Sequence, residues 1–291
     1  MQKEVITVVT AFLLLSPGMA AQHGSFSYSI DKPWLTEVYV DDYYYGADSI
    51  GQCLMRVDYA MEIMVDTVQG TAVEQMMVLE IGNNVSRFCS TVYLGLDSLL
   101  QSGASRTMYR SIYNKVKYAP AFYSMFFQNY PRSGKLTCTG RVCNTDFKYE
   151  EDLPEMDWKI QDETDTLLGY MVQKAVCSFR GRDYTAWFAP QLPMQTGPWK
   201  FSGLPGLILK VEDSRGHYTF IARGIYLASG AVEMPRYLFL KTSRRKYMDA
   251  LYMSMTELFR ACKLYLKDIE IRVSDPSALV KMEMMFDFME R

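Results

Sequence analysis

Strict alternation marks the first readable element of the chain. Over residues 54–66, Met55, Val57, Tyr59, Met61, Ile63 and Val65 alternate with Arg56, Asp58, Ala60, Glu62, Met64 and Asp66. A period of two over that length predicts a strand with one wet face. Two further apolar runs, 75–81 and 86–93, are split by Gly82-Asn83-Asn84, a turn signal that predicts a hairpin. Together the three segments predict an antiparallel meander. Residues 94–131 lose the alternation and read as an irregular or helical insertion. Strands are expected again at 134–149, 156–161, 168–179, 183–188, 207–211, 217–225 and 233–240.

Beyond residue 243 the period changes. Tyr247, Leu251, Met255, Leu258, Cys262 and Tyr265 recur at helical spacing. Asp275 followed by Pro276 forms a helix-start signal, predicting a last helix that buries Leu279, Met282, Phe286 and Met289. Many strands with helices gathered late predict an α+β fold: a largely antiparallel, strongly curved sheet or open barrel with C-terminal helices. The expected domains are a signal peptide over 1–21, a β-rich domain over 22–242 with the insertion at 94–131, and a helical segment over 243–291.

Composition narrows the function classes. With 31 basic and 33 acidic residues the net charge is −2, so nothing favours a nucleic-acid partner. Lys3 precedes an apolar stretch over 5–15, too short to span a bilayer, then Ser16-Pro17-Gly18 and the small residues Ala20 and Ala21. This is the layout of a secretory signal cleaved after Ala20 or Ala21. The chain is therefore expected to be exported, periplasmic or extracellular. No later run is long enough for a membrane helix, so an integral membrane protein is not expected.

Export permits disulfides, and the chain has six cysteines. In Cys138-Thr139-Gly140-Arg141-Val142-Cys143, a two-residue turn at Gly140-Arg141 would set Cys138 against Cys143 at a separation that suits a disulfide. The pairing of Cys53, Cys89, Cys177 and Cys262 stays open.

The densest stretch is 197–220. Leu204-Pro205-Gly206-Leu207 fits a type II turn, with Pro at the second position and Gly206 taking positive φ at the third. Gly203 would then serve close approach by a backbone or ligand. Two readings stand side by side. One is a structural corner. The other is a binding lip of Trp187, Trp199, Lys200, Gly203, Leu204, Pro205 and Gly206, with the two indoles as walls and Lys200 as a surface charge.

Residues 203–208 spell Gly-Leu-Pro-Gly-Leu-Ile and resemble the signature of the GLPGLI family of exported Bacteroidetes proteins. The likeness extends to Leu168-Gly169-Tyr170, to 179–188 and to Gly197-Pro198-Trp199-Lys200-Phe201. It implies export and a β-rich fold, and the family has no established activity.

Catalytic motifs are scarce. Two histidines, His23 and His217, and no nucleophile elbow argue against a Ser or Cys triad. There is no HExxH and no paired CxxC, so no metal or catalytic residue is assigned and no cofactor is expected. Asp162, Glu163 and Asp165 read as a solvated acidic loop, and the methionine groups as core. Whether the chain is an enzyme is left open, with a non-enzyme favoured. The expected function is an exported envelope binding or assembly protein with an apolar groove near the Gly-Leu-Pro-Gly corner. Its partner would be an envelope protein, a peptide or a lipid-like ligand. The alternatives are a cofactor-independent hydrolase using a carboxylate pair, or a structural accessory to an outer-membrane transporter.

Overall fold

The computed structural model describes residues 5–6, 26–30, 44–67, 70–92, 94–95, 98, 102, 124–142, 145–256, 269–273 and 289. A small sheet joins β1 (Val5–Ile6), β2 (Phe26–Ile30) and β16 (Ile269–Val273). The main sheet has thirteen strands. One wing runs outward in chain order: β3 (Tyr44–Asp66), β4 (Thr71–Gly82), β5 (Ser86–Ser90), β6 (Ser124–Gln128), β7 (Lys135–Val142) and β8 (Thr145–Asp152). The other wing starts at the far edge and walks back: β9 (Lys159–Leu167), β10 (Tyr170–Phe179), β11 (Arg182–Ala189), β12 (Leu207–Asp213) and β13 (Tyr218–Leu227). There β13 pairs with β3, setting Phe220 opposite Met61. β14 (Ala231–Tyr237) pairs with the first half of β3, and β15 (Leu240–Thr242) joins β8 as the parallel pair. The end strands β15 and β9 do not pair with each other, so the sheet is not closed into a barrel. The fold is mostly β.

Alternation placed β3 well. Val57, Tyr59 and Met61 are buried, while Arg56 and Glu62 reach solvent or its margin. The Gly82-Asn83-Asn84 turn closes as expected, with Gly82 N–H donating to Val85 O at 2.8 Å. The insertion does not hold as one irregular block. Ser124–Gln128 is a central strand buried at every position, and a strand covered on both faces carries no alternation to read. Helical residues appear at 91–92, 94–95 and 98.

The hairpin at 134–149 corrects a second expectation. Cys138 faces Tyr149, Gly140 faces Phe147 and Val142 faces Thr145, so the pairing continues past the expected turn. Gly140 and Arg141 therefore lie inside β7. Arg141 forks onto Asp146 across the pair with two 2.8 Å hydrogen bonds, a contact that fixes this register. Cys138 is buried and carries no disulfide among the described residues, so the expected Cys138–Cys143 pairing is not shown. Cys143 itself lies outside the described residues. The glycine serves packing: a Cβ at Gly140 would stand 2.0 Å from Tyr247 Oη, and that hydroxyl is hydrogen-bonded to Ser124 Oγ at 2.8 Å.

Tyr247 belongs to α1 (Arg244–Thr256), the one long helix among the described residues. Ser243 starts it, accepting from Lys246 N–H through its hydroxyl at 3.4 Å. Tyr247 and Ala250 are buried, and the Tyr247 ring packs on Phe147 and Tyr149. No described helix is long and apolar enough to cross a membrane. The last predicted helix falls outside the described residues except for Met289. That residue is buried in the main core, and its carbonyl accepts from Tyr184 OH at 3.3 Å. The core draws on both wings, with Tyr59, Leu79, Phe88 and Phe126 from one and Val172, Ala186, Phe188 and Val211 from the other.

Candidate functional site

The segment between β11 and β12 leaves the sheet and enters the core. A bridge between Thr196 and Ser202 pinches off Gly197-Pro198-Trp199-Lys200-Phe201, and Phe201 N–H closes the turn on Pro198 O at 3.1 Å. Trp199 sits at φ 54°, a left-handed conformation that a non-glycine residue holds at a cost of about 1–3 kcal/mol. Packing compensates. Its indole is 1% exposed and meets Phe126, Phe179, Tyr184 and Phe201 at ring distances of 5.1–6.4 Å. Gln128, on buried β6, donates its amide to Phe201 O at 3.2 Å and accepts from Thr196 Oγ1 at 2.9 Å. A polar side chain from a central strand thus satisfies backbone that the loop brings inside. Trp158 Nε1 donates to Ser202 O at 2.8 Å from the other side.

Lys200 is not a surface charge. It has no exposure, and its Nζ lies 2.8 Å from Glu151 Oε1 and 3.0 Å from Tyr149 Oη. The rings of Tyr149, Trp199 and Phe126 surround the ammonium at 5.4–5.7 Å, close enough for cation–π attraction. Glu151 also receives Arg180 at 2.9 Å and Arg244 at 3.6 Å. One carboxylate on β8 therefore ties together the β10–β11 turn, the loop and the start of α1.

The two glycines of the corner exchange their expected roles. Gly203 takes the positive φ, at 91°, and a Cβ there would make only an ordinary contact, 4.0 Å from Trp158 Cδ1. Gly206 has no positive φ. A Cβ there would stand 2.3 Å from Ala189 O, so close backbone contact is what excludes a side chain. Gly206 N–H donates to Leu204 O at 2.8 Å, a tighter turn than type II. Leu204 and Gly206 are buried, and Gly203 and Pro205 reach the surface. Trp187 is half-buried on β11, in register with Lys174 and Lys210. The loop brings Trp199, Lys200, Leu204 and Gly206 together, but into the core. The Tyr59 hydroxyl, held up by burial, donates to Ile208 O at 2.6 Å and anchors the strand that follows the corner.

A different feature opens to solvent. A cavity of about 300 Å³ lies where β9 begins beside the end of β10. Asp157, Lys159, Cys177, Ser178, Asp183 and Tyr184 line it. β9 covers β10 only as far as Val176, opposite Lys159, whereas β11 continues along Cys177, Ser178 and Phe179. The β9 side of those three residues has no strand partner among the described residues. Burial first, then the charges of Asp183 and Asp157, push the Cys177 thiol up to about 12. It is a neutral, unreactive thiol rather than a nucleophile. Sequence reading missed this notch because it arises where two strands end out of step, which no local pattern records. Among the described residues no group of three His, Cys, Asp or Glu side chains is placed to hold a metal ion.

Comparison with known proteins adds little beyond this geometry. A family profile described as a protein of unknown function (Porph_ging) matches residues 180–210, the stretch that holds β11, the buried loop and the corner. No curated protein matches. The chain is similar to PNGF-II solved in two crystal forms. In the P21 form the identity is 16% and the TM-score 0.49, over 70% of this chain and 34% of that one. In the C2 form the values are 16%, 0.48, 70% and 33%. The chain thus spans about a third of the length of these structures.

Proposed function

We propose that this chain is an exported binding or assembly protein of the cell envelope that recognises its partner through the rim of its sheet. In this reading the Gly-Leu-Pro-Gly corner is an architectural plug. One observation carries it: Trp199 and Lys200, the residues best suited to a binding lip, are 1% and 0% exposed. A loop that fills the space between the wings leaves no interior groove at the corner among the described residues, so recognition moves to the surface. The contact of Arg180, at the end of β10, with Glu151, on the opposite wing, supports a sheet bent strongly enough to bring its wings together. Export rests on the N-terminal pattern of Lys3, the apolar stretch and Ala20-Ala21, and on the resemblance to the GLPGLI family.

Two measurements test the proposal. N-terminal sequencing of protein from envelope fractions should begin at Ala21 or Gln22; a retained Met1 there would defeat export. Purification of the tagged protein from the native envelope, with mass spectrometry of bound protein and small molecules, should return one reproducible partner. Release of that partner on mutation of Trp199 to a smaller residue, with folding intact, would restore the corner as the binding lip and overturn this reading.

A further inference from the structure

We propose that the notch between the start of β9 and the end of β10 takes a cationic side chain, guanidinium or ammonium, from an extended basic peptide. This rests on the reading of the chain as a binding protein and gives that protein a site and a ligand chemistry.

The first support is unbalanced charge. Asp157 makes no ion pair or hydrogen bond among the described residues, and Asp183 receives one hydrogen bond, from the neutral Ser178 hydroxyl. Both carboxylates line one cavity. Lys159, at the same mouth, pairs with neither of them. Two carboxylates against one ammonium leave the notch with a net negative charge that an incoming cation would neutralise.

The second support is the floor. Cys177 is buried to 6% exposure and lines the cavity, and its thiol makes no hydrogen bond among the described residues. Tyr184, 2% exposed, and Val176 complete a surface that suits the methylenes of a lysine or arginine stem, while the carboxylates meet its head. The third support is the uncovered edge. Residues 177–179 of β10 lack a strand on the β9 side, which gives an extended peptide a short length of backbone to pair with as its side chain enters. A free metal ion fits poorly, because the carboxylates and the thiol are not placed to ligate one ion. An anion would meet two like charges.

The test is calorimetric titration of the full chain with a capped arginine (N-acetylarginine N-methylamide), its neutral citrulline counterpart, and putrescine. The capped arginine should bind and the citrulline compound should not. Asp157→Asn should weaken binding about tenfold or more, as expected for loss of a charge-assisted contact. Lys159→Met should strengthen it, because it removes the repelling charge. Asp157 is exposed and without partners, so its variant should keep the wild-type unfolding curve, and that curve is recorded alongside. Equal binding of arginine and citrulline compounds, or indifference to both substitutions, would overturn the proposal. Binding of putrescine alone would overturn the peptide as its source. If an envelope partner is captured although capped arginine does not bind, this inference falls and the binding-protein reading stands. The reverse result removes that reading and keeps the cation site.

Discussion

Lys200 Nζ and Glu151 Oε1 stand 2.8 Å apart, the lysine fully enclosed and the carboxylate at the margin of the core. The two ends of this pair are not equivalent. Glu151 keeps Arg180 and Arg244 if Lys200 is lost. Lys200, if Glu151 is lost, retains its ammonium inside the core without that carboxylate. Breaking a buried pair by removing one partner costs about 3–5 kcal/mol. Glu151→Gln should approach that figure, and Lys200→Met, which keeps the stem and removes the charge, should cost about 1–2 kcal/mol. Urea unfolding of both variants checks this; equal midpoints would mean that Lys200 does not depend on Glu151.

Gly206→Ala should be more damaging than Gly203→Ala. The first drives a methyl group to 2.3 Å from the Ala189 carbonyl and must push two backbone segments apart, a change in the overpacking range of about 1–3 kcal/mol or more. The second meets only Trp158 at an ordinary 4.0 Å and suffers the left-handed conformation, about 1 kcal/mol. The melting temperatures should fall in that order, and the reverse order would contradict the described corner.

Trp199→Ala should destabilise by about 3–5 kcal/mol, the range for removing a large aromatic from a packed core. The indole contacts four rings, so the void cannot close by the movement of one neighbour. A stable Trp199→Ala protein with unchanged unfolding would show that the loop is not a plug.

Cysteine chemistry gives a fourth expectation. Alkylation in denaturant without reductant should label Cys138, because no disulfide joins it among the described residues. In the native protein Cys177 should stay slow to alkylate at pH 9, where an ordinary thiol is half ionised, because its folded value is about 12. The folded state then holds a proton that the unfolded chain releases, so stability falls as pH rises from about 9 to about 12. Cys177→Ser should flatten that part of the alkaline unfolding curve. An unchanged curve would assign the alkaline loss to other groups.

Much of the framework was legible in the chain, and the reasons differ from place to place. Alternation located β3 because one face of that strand is half open to water. It missed β6, since burial on both faces erases the signal. Gly140 was misread because a glycine allows either a turn or a close contact, and only the position of Tyr247, more than a hundred residues later, distinguishes them. The same ambiguity exchanged Gly203 with Gly206. The corner was recognised as special from composition alone, but the direction of its side chains depends on Gln128 and Glu151, which come from the other wing. Lys200 was expected outside because a charged residue usually is; an enclosing set of Tyr149, Trp199, Phe126 and Glu151 cannot be assembled from local sequence.

The pairing of β3 with β13 has a consequence for how the chain acquires this shape. Tyr59 reaches Ile208 across 149 residues of sequence. Until the second wing has emerged, the inner edge of β3 has no neighbour, and the first wing presents a long open strand. Contacts this distant in sequence slow folding, because loop closure precedes the contacts that reward it. Synthesis is directional, so the interval is set by the length of chain still to come. The first wing is therefore where self-association during assembly should concentrate, and a holding factor that caps β3 would act in that interval alone.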